Sequence, residues 1–266
     1  MPKFFIFILN ITLRCVRGQI FERAAGLTYR ILLAFFPFLI FLMTLMGFMD
    51  IDETAILEGL YFVLPGEVAV LVANFVYELG DIRSAGLLST ALFFSVYNTS
   101  NGFRAIVRIT NHSYGVEENR GIVFQVGVSF LLMLLFAFTL IVMLGLLVFG
   151  RQIWGFFFPG GPELFYTIAS GGGALVILVL VTMTIYKLSC AAKMRFRNVL
   201  PGAVLTVVAW AVISAVFGFV IPNFTQYPAV YGSIAGVFIL ILWLNIICAV
   251  LLVGNEVNAT LWDYKK

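Results

Sequence analysis

Charge is scarce in this sequence. Of 266 residues, 11% are Asp, Glu, Lys or Arg, whereas 62% are hydrophobic and the mean hydropathy is +1.07. A soluble domain carries about 25% charged residues. A chain this poor in charge cannot cover itself in water, so the bilayer must be the solvent for most of it. Histidine occurs once, at His112, and the three cysteines, Cys15, Cys190 and Cys248, are scattered without a CxxC pair. That argues against a disulfide framework and against a zinc site. The patterns GxxxxGK[ST], HExxH and GxSxG are all missing, so neither an ATP-driven motor nor a recognisable hydrolase centre is written here. We expect no catalytic residue, no metal and no cofactor, and a protein that is not an enzyme. The net charge of +3 does not mark a nucleic-acid binder. No polar linker divides the chain, which reads as one membrane domain over residues 1–266. The short apolar run Phe4–Leu9, followed by Arg14 and Arg17, does not read as a signal peptide.

What is abundant is apolar length. A spanning helix needs about 20 mostly apolar residues, and five stretches supply them: 31–49, 122–149, 168–186, 199–221 and 233–253. A sixth, 85–106, is interrupted by Asn98, Ser100, Asn101 and Arg104. The fold class expected is therefore an all-α polytopic helical bundle of about six spans. Residues 1–23, with Lys3, Asn10, Arg14 and Arg17 on one face, suit a helix lying in the membrane interface. The stretches 56–64 and 68–79, separated at Pro65, read as an outer amphipathic helical segment.

The positive-inside rule orients the chain. With the N-terminus inside, the inner segments hold Lys3, Arg14, Arg17, Arg23, Arg30, Arg104, Arg108, Arg120, Lys187, Lys193, Arg195, Arg197, Lys265 and Lys266. Only Arg83 and Arg151 fall outside, and the first outer loop is acidic, from Asp50 to Asp81. Omitting the interrupted second span would invert every later loop. The bias thus retains that span and places both termini in the cytoplasm.

Polar groups inside a span are costly and are default functional candidates. Tyr97, Asn101, Arg104, Arg108 and Asn111 recur at helical spacing in the second span and share a face, which we expect to turn into the bundle or a water-filled cavity. Its arginines can hold a phosphate or carboxylate, or they can snorkel or pair internally. In the last span Asn245 and Glu256 are about three turns apart on one face, with Asn258 just beyond. Glu256 needs a cation; Arg104, Arg108 and Arg30 lie at suitable depth. The other reading makes Glu256 a proton or cation site. Pro37 is a hinge or a shape feature of the first span. Gly232 and Gly236 form a GxxxG suited to packing within the chain or between copies in a homo-oligomer. Gly171–Gly173 reads as a flexible start to the fourth span.

Several segments resemble the YihY/BrkB membrane proteins. They are Ala24-Ala25-Gly26-Leu27-Thr28-Tyr29 with Phe35-Phe36-Pro37; Asn101-Gly102-Phe103-Arg104-Ala105 running on to Asn111 and Tyr114-Gly115-Val116-Glu117-Glu118; Leu200-Pro201-Gly202-Ala203 before Trp210; and Tyr231-Gly232-Ser233, Trp243 and Gly254-Asn255-Glu256-Val257-Asn258-Ala259. Asn255 departs from the alanine common there. The resemblance covers nearly the whole chain. It implies a multi-pass bacterial inner-membrane protein with an envelope role in some members. It also brings a historical ribonuclease label, which the short soluble portions do not support. Pro201 falls in the fifth-span motif as a hinge or packing position.

The functional expectation is a transporter or flippase-like protein for an anionic or amphipathic solute or lipid, working by alternating access between the second and last spans. Membrane lipids are its expected partners. The rival is a non-transporting envelope-biogenesis scaffold that uses the outer segment to bind a partner or lipid surface.

Overall fold

The computed structural model describes residues 2–49, 69–70, 72–74, 85–158, 160, 162–223 and 233–264. Most of the expected outer segment, with Pro65, and also Gly232, lie outside these residues. The regular structure among them is helical: α1 (Pro2–Arg17), α2 (Ile20–Met49), α3 (Ala85–Ser113), α4 (Ile122–Phe157), α5 (Glu163–Ser189), α6 (Phe196–Asn223) and α7 (Ser233–Asp263).

Local chemistry sets the breaks. The Gly18 amide donates to Arg14 O at 2.7 Å and Gln19 takes a φ of 49°, which turns the chain sharply out of α1. The interfacial segment expected to run to residue 23 therefore stops at Arg17. Ile20, Ala24 and Leu27 recur at helical spacing and are buried, so this stretch is already the first part of α2. At the end of α3, Gly115 sits at φ 59°, its amide reaching His112 O and the Val116 amide reaching Asn111 O. That pair of bonds is the Schellman arrangement, in which glycine takes the left-handed position without strain. Pro37 lies inside α2, and Gly171–Gly173 lie inside α5, which begins eight residues earlier at Glu163.

The helices α2 to α7 pack as sequential neighbours, and α7 closes the ring against α2. α3 also reaches across to α5 and α7, and α1 lies against α7. One core joins Leu27 of α2, Ile106 of α3, Leu132 of α4 and Leu252 of α7. A second joins Leu39 of α2, Phe217 of α6 and Trp243 of α7 with Val72 and Ala73. Those last two residues belong to the stretch read as an outer surface segment, yet they are buried against the bundle.

The outside is apolar. Val204, Val208, Val212 and Val216, one face of α6, are all exposed. Hydroxyls on the helices largely bond backward. Thr28, Thr44, Ser129, Thr139 and Thr182 each reach the carbonyl four residues earlier, which satisfies them where water is absent. Four described stretches, Ile20–Phe41, Ser170–Ser189, Phe196–Val220 and Gly236–Asp263, are long and apolar enough to cross a membrane. The chain is a multi-pass helical membrane protein.

Candidate functional site

The polar stripe of α3 does not line the bundle. Tyr97 is 56% exposed, Arg108 is exposed, Asn101 and Arg104 are half-buried, and only Asn111 is fully covered. The inward face is instead Gly102, Ile106 and Thr110. Residues two apart on a helix differ by about 200°, so packing these small and apolar residues against the neighbours turns Arg104 and Arg108 outward. Arg104 donates to Asn101 Oδ1 one turn earlier. Phe93 and Phe94, both exposed, flank the outer part of this face.

Glu256 is buried at the end of the bundle that carries both termini. Ser113 Oγ lies 2.5 Å from Glu256 Oε1 and 3.1 Å from Ile109 O, so its one proton is better placed for the carboxylate. The cation is Arg14, with Nη1 at 4.0 Å from Oε2. This corrects the expected pairing with Arg104, Arg108 or Arg30: the outward turn of the α3 stripe directs Arg104 and Arg108 away, while α1 folds back across α7. Arg14 also holds Asp263, and Asn10 Nδ2 donates to Tyr264 Oη at 2.6 Å. The polar face of α1 is thus fastened to α7, leaving Phe5, Leu9 and Val16 exposed. Asn245 is half-buried and stands apart from this cluster.

Asn258 ties α7 to α6. Its Oδ1 accepts from the Gly202 amide at 2.7 Å and its Nδ2 donates to Val199 O at 3.0 Å. Pro201 lies between those two partners, where its missing N–H interrupts the helical ladder. The same crossing brings Gly202 and Gly254 together. A Cβ on Gly254 would meet Thr206 Oγ1, Gly202 O and Tyr186 Oη, and one on Gly202 would meet Gly254 O and the Asn258 amide. Tyr186 donates to Leu251 O at 2.6 Å and lies 2.8 Å from Thr206 Oγ1. Close packing was expected at Gly232 and Gly236. Gly236 is half-buried in α7.

Asn111 anchors a bracket between the α3–α4 turn and α5. Its Oδ1 accepts from the Ala191 amide at 2.7 Å, and its Nδ2 donates to Glu118. Arg120 grips Glu118 through two bonds of 2.6 Å and reaches Leu188 O and Ser189 O at 3.2 Å. It thereby satisfies carbonyls that the end of α5 leaves open. The hydrogen bonds from Arg120 hold the Glu118 carboxyl below its ordinary value of 4.5. A depressed carboxyl contributes stability above that ordinary value and loses it as pH falls. Wild type is therefore expected to melt above Glu118→Gln at pH 7, and this advantage should shrink below about pH 4.5. Thermal melts of both proteins across pH 7 to 3 check it.

Comparison with known proteins places this architecture. A family model described as "Virulence factor BrkB" matches residues 11–266. The chain belongs to the BrkB family. A family relative from Bacillus subtilis (strain 168), named as a ribonuclease-like protein, YfkH, is 34% identical over 250 residues, covering 92% of this chain and 91% of the relative. A UPF0761 membrane protein of Alteromonas mediterranea is 23% identical over 94% of this chain and 85% of its own length. One of Psychrobacter sp. (strain PRwf-1) is 26% identical over 90% of this chain but only 45% of its own length. No solved structure matches. Among the described residues of this BrkB-family chain, no three His, Cys, Asp or Glu side chains gather as a metal site would require.

Sequence reasoning did not single out Arg14 as the Glu256 partner, nor Ser113, Tyr186, Thr206 or the Glu118–Arg120 pair. Gly202 and Gly254 carried a usable signal, since an isolated glycine in an apolar helix marks close approach of another backbone.

Proposed function

We propose that this BrkB-family protein crosses the bacterial inner membrane six times with both termini in the cytoplasm. There it translocates an amphipathic anionic solute or lipid along α3. The orientation is supported by the inner placement of nearly all Lys and Arg, and by α1 and the end of α7 meeting at one end of the bundle. One observation carries the function: the Asn101–Arg104 pair sits half-exposed on the outer side of α3, beside exposed aromatic side chains. Such a stripe opens sideways to lipid. A headgroup can travel along it by charge-assisted hydrogen bonds while its acyl chains stay in the bilayer. This replaces an enclosed cavity with a lateral groove, and it is a non-enzymatic reading.

The test is reconstitution in vesicles containing a lipid with a fluorescent headgroup, followed by an impermeant quencher. Wild type should expose inner-leaflet probe to the quencher. Arg104→Ala should slow this by about tenfold, the equivalent of one charge-assisted hydrogen bond, with unchanged yield and size-exclusion profile. Wild-type vesicles that move neither lipid nor small anions would overturn the proposal. The scaffold reading would then stand, favoured by one observation: Asn111, Glu256 and Asn258 are all engaged in holding helices together.

A further inference from the structure

Between α1 and the last turn of α7 lies a cavity of about 340 Å³, lined by Asn10, Arg14 and Arg17 on one side and Thr260, Asp263 and Tyr264 on the other. Pockets for small molecules run from about 300 to 1,000 Å³, so this one suits a headgroup rather than a whole lipid. Its charges are opposed and separated. On the α1 wall Arg14 is committed to Asp263 and Glu256, whereas Arg17 is exposed and makes no ion pair among the described residues. On the α7 wall the Asp263 side chain is 46% exposed, and only its Oδ2 is bonded to Arg14. Tyr264 Oη accepts from Asn10, which leaves its own proton to donate.

The uncommitted charges select the ligand class. Arg14 is already held by Glu256 and Asp263, which leaves Arg17 and the free oxygen of Asp263 as the charged groups of the lining open to a ligand. A zwitterion with its two charges apart matches both walls. Asp263 Oδ1 takes a hydrogen bond best from a primary ammonium, which a quaternary amine cannot offer. Leu13 also lines the cavity, and it belongs with Leu9 and Val16 to the exposed apolar face of α1. That face gives acyl chains a surface beside the opening.

We propose that this cavity holds the phosphoethanolamine headgroup of a membrane lipid, its phosphate on Arg17 and Tyr264 and its ammonium on Asp263. The site is separate from the α3 stripe, so binding here is independent of whether lipid moves along α3.

Native mass spectrometry of the purified protein, titrated with phosphatidylethanolamine, phosphatidylcholine or phosphatidylglycerol of matched acyl chains, tests it. Wild type should hold phosphatidylethanolamine about tenfold more tightly than phosphatidylcholine, as one charge-assisted hydrogen bond provides. Asp263→Asn should bring the two to the same affinity. Arg17→Gln should weaken both about tenfold. Tyr264→Phe keeps the ring against Phe7 and should weaken both by a smaller factor, which keeps the test open if Asp263→Asn does not fold. Equal affinity for phosphatidylethanolamine and phosphatidylcholine, tighter binding of phosphatidylglycerol, or indifference to Arg17→Gln would overturn the proposal. Free phosphoethanolamine competing as well as the lipid would overturn the lipid source.

Discussion

Replacing Gly254 with alanine is expected to lower the melting temperature by about 6–12 °C. The added Cβ would stand against Thr206 Oγ1 and 2.7 Å from both Gly202 O and Tyr186 Oη. None of these can step aside cheaply. Gly202 O is backbone, and Tyr186 is bonded both to Thr206 and to Leu251 O. The alternative is to part α6 from α7, which breaks both Asn258 bonds. Overpacking a rigid site costs about 1–3 kcal/mol or more, and here the upper end applies, against a total stability of about 5–15 kcal/mol. Gly202→Ala should lower the melting temperature comparably, through clashes with Gly254 O and Asn258. Gly171→Ala is the contrast: nothing lies within 4 Å of its added carbon, and the helix gains up to about 1 kcal/mol of propensity. Fluorescence-detected size exclusion and thermal melting read all three. A Gly254→Ala protein that melts within about 3 °C of wild type would refute the close crossing.

The second large effect is an asymmetry between the members of the Arg14–Glu256 pair. Arg14→Gln removes the cation and leaves a carboxylate that is 5% exposed, with Ser113 as its one side-chain donor among the described residues. Breaking a buried pair from one side costs about 3–5 kcal/mol. Because Arg14 is itself 32% exposed, a smaller loss of about 2–3 kcal/mol is expected. Glu256→Gln should cost much less, since Arg14 keeps Asp263 and the new amide can still accept from Ser113. The double variant Arg14→Gln/Glu256→Gln should then melt well above Arg14→Gln alone. If Arg14→Gln is the milder single change, the carboxylate is not held by this pair.

Much of the architecture was legible because bilayer physics writes itself along the chain. Apolar runs mark helices, and a lone carboxylate such as Glu256 demands a cation. What was not legible depends on long-range geometry. Arg14 pairs with a residue at the far end of the chain, beyond any local spacing rule. Helical periodicity placed Tyr97, Asn101, Arg104 and Arg108 on one face, but it does not say which way the face turns. That was decided by Gly102, Ile106 and Thr110, whose size lets α3 approach its neighbours. The break at Gly18 was missed for a similar reason. Its left-handed neighbour is Gln19, a residue with no turn signature of its own.

The bond from Asn10 to Tyr264 joins positions 254 residues apart. Chains emerge from the ribosome N-terminal end first, at about 5–20 residues per second. α1 is therefore made well before the part of α7 that it docks on. Throughout synthesis its arginines lack Asp263 and Glu256, and the docking of α1 reports that the final helix is in place. Loss of the last turn of α7 takes away Asp263 and Tyr264 together, and so frees the whole polar face of α1 at once.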